Sequence, residues 1–181
     1  MSDNLRIFLL GGLTIELEGN PLHLTTRKNE ALFAYLACHP NQPIQRETLA
    51  TLLWSEKSQK EAMGNFRTAL SGLRNVAAFL EIDRSTLAIK DTTEIWGDSL
   101  IFERMEQIAL RVSPSGLLTD GELKALTEAV GLYRGEFLEG FNLRDADGFE
   151  EWARNQRERF HIAATQALQR LVTHYLANED Y

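Results

Sequence analysis

The sequence predicts an α+β fold in the first half of the chain and an all-α fold in the second. Two observations predict it. Apolar residues alternate up to residue 24 and again from residue 80 to residue 96, whereas elsewhere they recur at spacings of three and four. Glycine and proline then mark the changes of period, at Gly19-Asn20-Pro21, at His39-Pro40 and at Gly97.

Arg6-Ile7-Phe8-Leu9, Leu13-Thr14-Ile15-Glu16-Leu17 and Leu22-His23-Leu24 read as the strands of a small antiparallel sheet, with Gly11-Gly12 and Gly19-Asn20-Pro21 as its turns. From Arg27 a helix places Ala31, Leu32, Tyr35, Leu36 and Cys38 on one face until His39-Pro40 stops it. A second short helix, Arg46 to Trp54, gathers Leu49, Leu52 and Leu53. A third opens at Ser58. Its hydroxyl and the Glu61 carboxylate have the spacing of a reciprocal cap, in which each accepts from a backbone N–H that the helix leaves without a partner. This helix is expected to bury Phe66, Ala69, Leu70, Leu73 and Ala77 as one stripe and to turn Lys60, Gly64, Arg67, Thr68, Ser71 and Asn75 outward. Leu80-Glu81-Ile82, the turn Asp83-Arg84-Ser85 and Thr86 to Lys90 alternate as a hairpin, and Thr93 to Trp96 are expected to add a strand. Sheet, three helices and hairpin, in that order, make a winged helix-turn-helix with an extra sheet in front.

Beyond Gly97 the helical segments are Ser99 to Val112, Glu122 to Arg134 and Gly148 to Ala177, with a break at Ser113-Pro114-Ser115-Gly116. Thr119 and Glu122 repeat the cap spacing, and Asp147 with Glu150 is its aspartate version. Phe160, Ala164, Ala167, Leu168, Leu171 and Tyr175 form the apolar row of the last helix. The predicted domains are therefore 1–97 and 98–181, joined without a Pro- or Ser-rich linker and touching through Phe102 and its apolar neighbours.

With 181 residues, 44% of them hydrophobic and 25% charged, the chain is long and apolar enough to build real cores, which excludes wholesale disorder. It has no apolar run of transmembrane length and one cysteine, Cys38, so neither export nor a disulfide framework is expected and the compartment expected is the cytoplasm. The net charge of −7 excludes a protein that coats nucleic acid over its whole surface but leaves room for a local basic face. His23, His39, His161 and His174 lack metal-ligand spacing, and no phosphate-loop, dinucleotide or nucleophile-elbow motif occurs. No catalysis, metal or cofactor is expected. The acidic group Asp145, Asp147, Glu150 and Glu151 reads as ordinary helix-start chemistry.

Leu49, Leu52-Leu53-Trp54 and Ala62-x-x-Asn65-Phe66-Arg67-x-Ala69-Leu70-Ser71-x-Leu73-Arg74 resemble the OmpR-type DNA-binding domain of the SARP-like transcriptional regulators. Leu132-Tyr133-Arg134-Gly135-Glu136-Phe137-Leu138-Glu139-Gly140-Phe141, then Trp152, Arg157-x-Arg159 and the ending Leu176 to Tyr181, are similar to the bacterial transcriptional activator domain, a tetratricopeptide-like helical module. Asp98-x-x-Ile101-Phe102 resembles the family's junction between the two. The chain departs from the pattern at Gly72 and Asn75, where relatives carry basic residues, and at Gln45, where a serine cap is usual. The resemblance implies an OmpR-type winged helix that binds promoter DNA and a helical domain that makes regulatory contacts. It also implies that the helical array is incomplete and continues into further C-terminal domains of the parent chain.

On the outward face of the third helix Lys60, Arg67, Thr68 and Ser71 have the chemistry to contact base edges and phosphates, and Gly64 permits close backbone approach. Arg74 and Asn75 follow them, and Arg84 at the hairpin tip with Lys90 at its base are the candidate wing contacts. The function expected is a sequence-specific transcriptional regulator, activation being expected over repression. Its expected partners are double-stranded DNA, RNA polymerase and a second copy of the chain, with no membrane. Two other readings stay open: a protein–protein scaffold whose winged helix no longer binds DNA, and a sensor with a small-molecule pocket among the C-terminal helices.

Overall fold

The computed structural model describes residues 5–90, 95–109 and 117–179. Thr93 and Glu94 of the expected strand, the break at 113–116 and the final Asp180-Tyr181 lie outside them. Along the chain β1 (Leu5–Phe8), β2 (Thr14–Leu17) and β3 (Asn20–Pro21) precede α1 (Arg27–Ala37), β4 (Ile44–Gln45), α2 (Arg46–Leu53) and α3 (Gln59–Ser71). A 3-10 segment (Arg74–Phe79), β5 (Leu80–Ile82), β6 (Thr86–Ile89) and β7 (Ile95–Gly97) follow, then α4 (Asp98–Ala109), α5 (Asp120–Leu132) and α6 (Asp147–Glu179). The α+β first half and helical second half are as expected.

The first sheet runs in the order β3-β2-β1-β7. β1 pairs antiparallel with β2, Leu5 opposite Leu17, and parallel with β7, Leu5 opposite Ile95. Alternation sends Leu5 and Ile7 into the core, while the Arg6 guanidinium lies over the Trp96 ring at 4.7 Å. The sheet is thus not purely antiparallel. The intervening helices and hairpin form the long crossover that a parallel pair needs. Leu22 to Leu24, expected as a strand, forms none: the Leu22 N–H donates to Ile15, and Leu24 is buried in the core.

α1 departs from a one-sided stripe. Ala31, Leu32, Phe33, Ala34, Leu36 and Ala37 are all buried, because α2, α3 and β6 pack around it. α3 is shorter than expected: it ends at Ser71 with Gly72 as its cap, so Arg74 and Asn75 stand on the 3-10 segment and not on the helix. Leu70 and Ala77 of the expected stripe are only half-buried; beyond Gly72 a 3-10 turn, which repeats every three residues, aligns Leu73, Val76 and Phe79 in the core instead. The expected hairpin forms, with Leu80 opposite Ile89 and Ile82 opposite Leu87, and β4 adds a third strand on the far side of β6.

In the second half Thr119 and Glu122 form the expected reciprocal cap. Asp147 does not cap α6: it is the helix's first residue, and the Glu150 carboxylate instead accepts from the Leu143 N–H at 2.6 Å. Phe102 is fully buried on Phe160 and Tyr133. Phe102 belongs to the core that both halves share, and the halves also meet through main-chain bonds from Gly11 to Glu136 and from Leu138 to Leu9 and through Trp152 of α6 against Tyr35 of α1. Residues on both sides of Gly97 share one hydrophobic core. Leu118, Leu126, Ala167 and Leu171 form a separate small cluster. Past it Leu168, Val172, Tyr175 and Leu176 of α6 are exposed, although Leu171 is packed. Among the described residues no helix is long and apolar enough to cross a membrane.

Asp98 holds the junction. Its buried carboxylate accepts from the backbone N–H groups of Leu9 (2.8 Å), Leu10 (3.0 Å) and Ser99 (2.8 Å), and Arg134 donates to it at 3.2 Å. Burial pushes its carboxyl above the ordinary range, against the pull of these donors.

Candidate nucleic-acid interface

α2 and α3 are joined by a short turn, Trp54 to Ser58, and pack on each other. At the start of α2, Gln45 stands at the cap position without a side-chain bond to the helix. α3 by contrast has a complete cap: Ser58 Oγ accepts from the Glu61 N–H and Glu61 Oε2 accepts from the Ser58 N–H at 3.1 Å. The Ser58 hydroxyl and N–H hold the Glu61 carboxyl below the ordinary range, so the one acid of this face stays ionised and engaged at the helix start. Ala62, Phe66 and Ala69 bury the opposite side of the helix.

Lys60, Arg67, Thr68 and Ser71 are exposed on one side of α3, and the space beside Gly64 is open. Thr68 and Ser71 turn their hydroxyl protons back to the carbonyls of Gly64 (3.3 Å) and Thr68 (2.6 Å), which leaves oxygen lone pairs outward. Among the described residues the ion pairs are Arg6–Glu16, Arg134–Asp98 and Arg159–Glu103. None of them engages Lys60, Arg67, Arg74 or Arg84, whose charges are therefore open to an anion.

The remaining expected residues are placed less uniformly. Arg74 is exposed and its Nε donates to the Ser71 carbonyl at 3.2 Å, closing the end of α3, with Asn75 exposed beside it. Arg84 is exposed at the hairpin tip. Lys90 is tied to the protein: its Nζ donates to the Ala78 carbonyl at 2.8 Å, and it lines a crevice of about 260 Å³ with Asn41, Leu100 and Arg104, at the junction with α4.

The structure adds residues that were not expected. An open groove of about 420 Å³ runs beside α3, lined by Thr25, Lys28, Trp54, Asn65, Thr68 and Ser71 among others, so the start of α1 shares the surface. Thr26 caps α1 by accepting from the Asn29 N–H, and Asn29, which is buried, donates its amide to the Ala69 carbonyl of α3. The signal available in the sequence was the cap pattern Thr26-x-x-Asn29; the reach from α1 to α3 had none. Among the described residues no cluster of His, Cys, Asp and Glu is placed to hold a metal ion.

No family model matches the chain. It is 32% identical over 75 residues to the transcriptional regulatory protein EmbR of Mycobacterium bovis and of Mycobacterium tuberculosis, a match that takes in 41% of this chain and 19% of each relative. The solved structure described as Mycobacterium tuberculosis EmbR in complex with low affinity phosphopeptide superposes with a TM-score of 0.72 at 24% identity, covering 94% of this chain and 46% of that one. The chain thus spans under half of the solved relative, and the curated matches cover about a fifth of their own length. These likenesses support the resemblance to SARP-like regulators read from the motifs, and the fold, a winged helix followed by a helical region, is shared over nearly the whole chain.

Proposed function

We propose that this chain is a sequence-specific DNA-binding transcriptional regulator of the cytoplasm. α3 reads the major groove through Arg67, Thr68, Ser71 and Lys60, with Gly64 admitting the backbone closely. Arg74, Asn75 and Arg84 contact the flanking phosphates, and Lys90 supports the base of the wing. The observation that carries this is the exposed cationic and hydroxyl face of α3, which forms no ion pair among the described residues, on a helix fixed by a complete cap. EmbR, to which the chain is similar, is named a transcriptional regulatory protein, which supports the same reading. No catalytic role is assigned. The helical region is the regulatory part, and RNA polymerase, a second copy of the chain and further domains of the parent chain are its proposed partners.

The test is a mobility shift on duplexes selected from a random library, repeated across salt concentrations. Phosphate contacts release counterions, so affinity must fall steeply and linearly in log–log form. Binding that does not depend on salt, or no binding at low salt, overturns the proposal and favours the scaffold reading.

A further inference from the structure

Lys28 is placed against its local preference. It stands in the first turn of α1, where the helix dipole disfavours a cation. Its ammonium lies in the fold between two carbonyl oxygens, donating to Leu53, the last residue of α2, and to Asp145 at 2.9 Å, 117 residues further along. The Trp54 ring lies 5.3 Å from the same nitrogen. One side chain therefore joins three pieces: the start of α1, the end of α2 where the turn into α3 begins, and the loop that leads into α6.

A second contact meets it from the other half of the molecule. Gly148, in the first turn of α6, lies so close to α2 that a Cβ there would stand 3.2 Å from the Leu52 carbonyl oxygen and 3.4 Å from its Cα. Glycine lets the two backbones approach. Immediately beyond, Phe149 and Ala153 are fully buried, so this end of α6 cannot yield without disturbing the core. Leu52 and Leu53 are the last residues of α2, and only the turn Trp54 to Ser58 separates them from α3. Where these carbonyls sit sets where α3 starts.

We infer that Lys28 and Gly148 are positioning residues for DNA recognition, through which the helical half holds the end of α2 and so aims α3. This rests on the DNA-binding reading. It assigns Lys28, which lines the groove beside α3, a role other than contacting phosphate. Two of its three donors are already committed to carbonyls, and Gly148 brings no charge at all.

The experiment uses the whole 181-residue chain. Lys28→Met keeps the stem and removes the donors, Lys28→Arg restores two donors, and Gly148→Ala acts from the second half. Each is titrated against a duplex selected by the unaltered chain and against an unrelated duplex, across salt, with the active fraction fixed by stoichiometric titration. A misaimed α3 loses base contacts and keeps its charge. Lys28→Met and Gly148→Ala should therefore weaken the selected duplex about tenfold, as expected when the competent orientation is only a minor population. The unrelated duplex and the salt slope should stay as in the unaltered chain, and Lys28→Arg should recover most of the loss. A parallel loss on both duplexes with a salt slope lower by about one would make Lys28 a phosphate contact and overturn the inference. A parallel loss at reduced active fraction, or no loss, overturns it too. If the unaltered chain binds no duplex, the DNA-binding reading fails and carries this inference with it.

Discussion

Asn29 and Gly72 fill one space between them: a Cβ on Gly72 would stand 2.6 Å from the Asn29 Oδ1 and 2.9 Å from its Nδ2. Asn29 cannot retreat easily, since its amide donates to Ala69 and its Oδ1 accepts from the Thr26 hydroxyl at 2.6 Å. Gly72→Ala is expected to destabilise the fold by about 1 to 3 kcal/mol, read by urea denaturation, by forcing a buried, bonded side chain to move. In a double-mutant cycle with Asn29→Ala the two losses should add to more than the double variant shows. Strict additivity would show that the two positions do not compete for space.

Arg67 and Phe66 are neighbours in sequence with opposite exposure, Phe66 being fully buried. Arg67→Ala should cost about 1 to 3 kcal/mol of specific DNA binding and leave the melting temperature almost unchanged. Phe66→Ala should cost about 3 to 5 kcal/mol of folding stability through the cavity it leaves. Calorimetry and mobility shifts on both variants check the split.

Carboxylates on this chain should titrate in opposite directions. Burial raises Asp98, so the folded chain holds that proton more tightly than the unfolded one, and this group's contribution to stability falls as pH rises from the ordinary carboxylate value through the raised one. Glu61 and Glu122 are lowered by their Ser58 and Thr119 partners. Their contribution is full above the ordinary carboxylate value and is lost as pH falls through the lowered one. Carboxyl-carbon NMR titration should place the Asp98 midpoint above that of an ordinary aspartate and both glutamates below that of an ordinary glutamate.

Burial pushes the Cys38 thiol up to about 12, with the nearby Glu103 charge adding to the effect. Cys38 is only half-buried, so the protonated state of its thiol is what protects it: at neutral pH it should react with a disulfide reagent more slowly in the native chain than in the unfolded one, and equal rates would show that its surroundings do not hold the proton.

The shared core has a calorimetric signature. Leu9, Leu10, Phe137 and Leu138 pack across the two halves and Asp98 ties both, so the halves should melt in one transition with equal calorimetric and van't Hoff enthalpies. Two resolved peaks would show that each half folds by itself.

What could be read in advance was the local part. Ser58 with Glu61 and Thr119 with Glu122 lie three residues apart, and the hairpin's alternation is complete within a short stretch, so their chemistry is settled by neighbours along the chain. The end of α3 was hidden because Leu73, Val76 and Phe79 keep a spacing that suits a 3-10 turn as well as a helix. Of the candidate interface, the exposed face of α3 was legible from its period. Lys28 and Asn29 were not, since their partners lie 25, 117 and 40 residues away and nothing in their own surroundings marks a polar residue that will be enclosed.

α6 has 33 residues, and at 1.5 Å per residue that is a rod about 50 Å long. Phe149, Ala153 and Phe160 clamp one end in the core against the helix-turn-helix, while the row Leu168, Val172, Tyr175 and Leu176 lies bare towards the other. The same helix thus lives in two surroundings, one end enclosed beside α2 and the other keeping an apolar row in water, so polar replacements at Val172 or Leu176 should leave the packing beneath the recognition helix as it is.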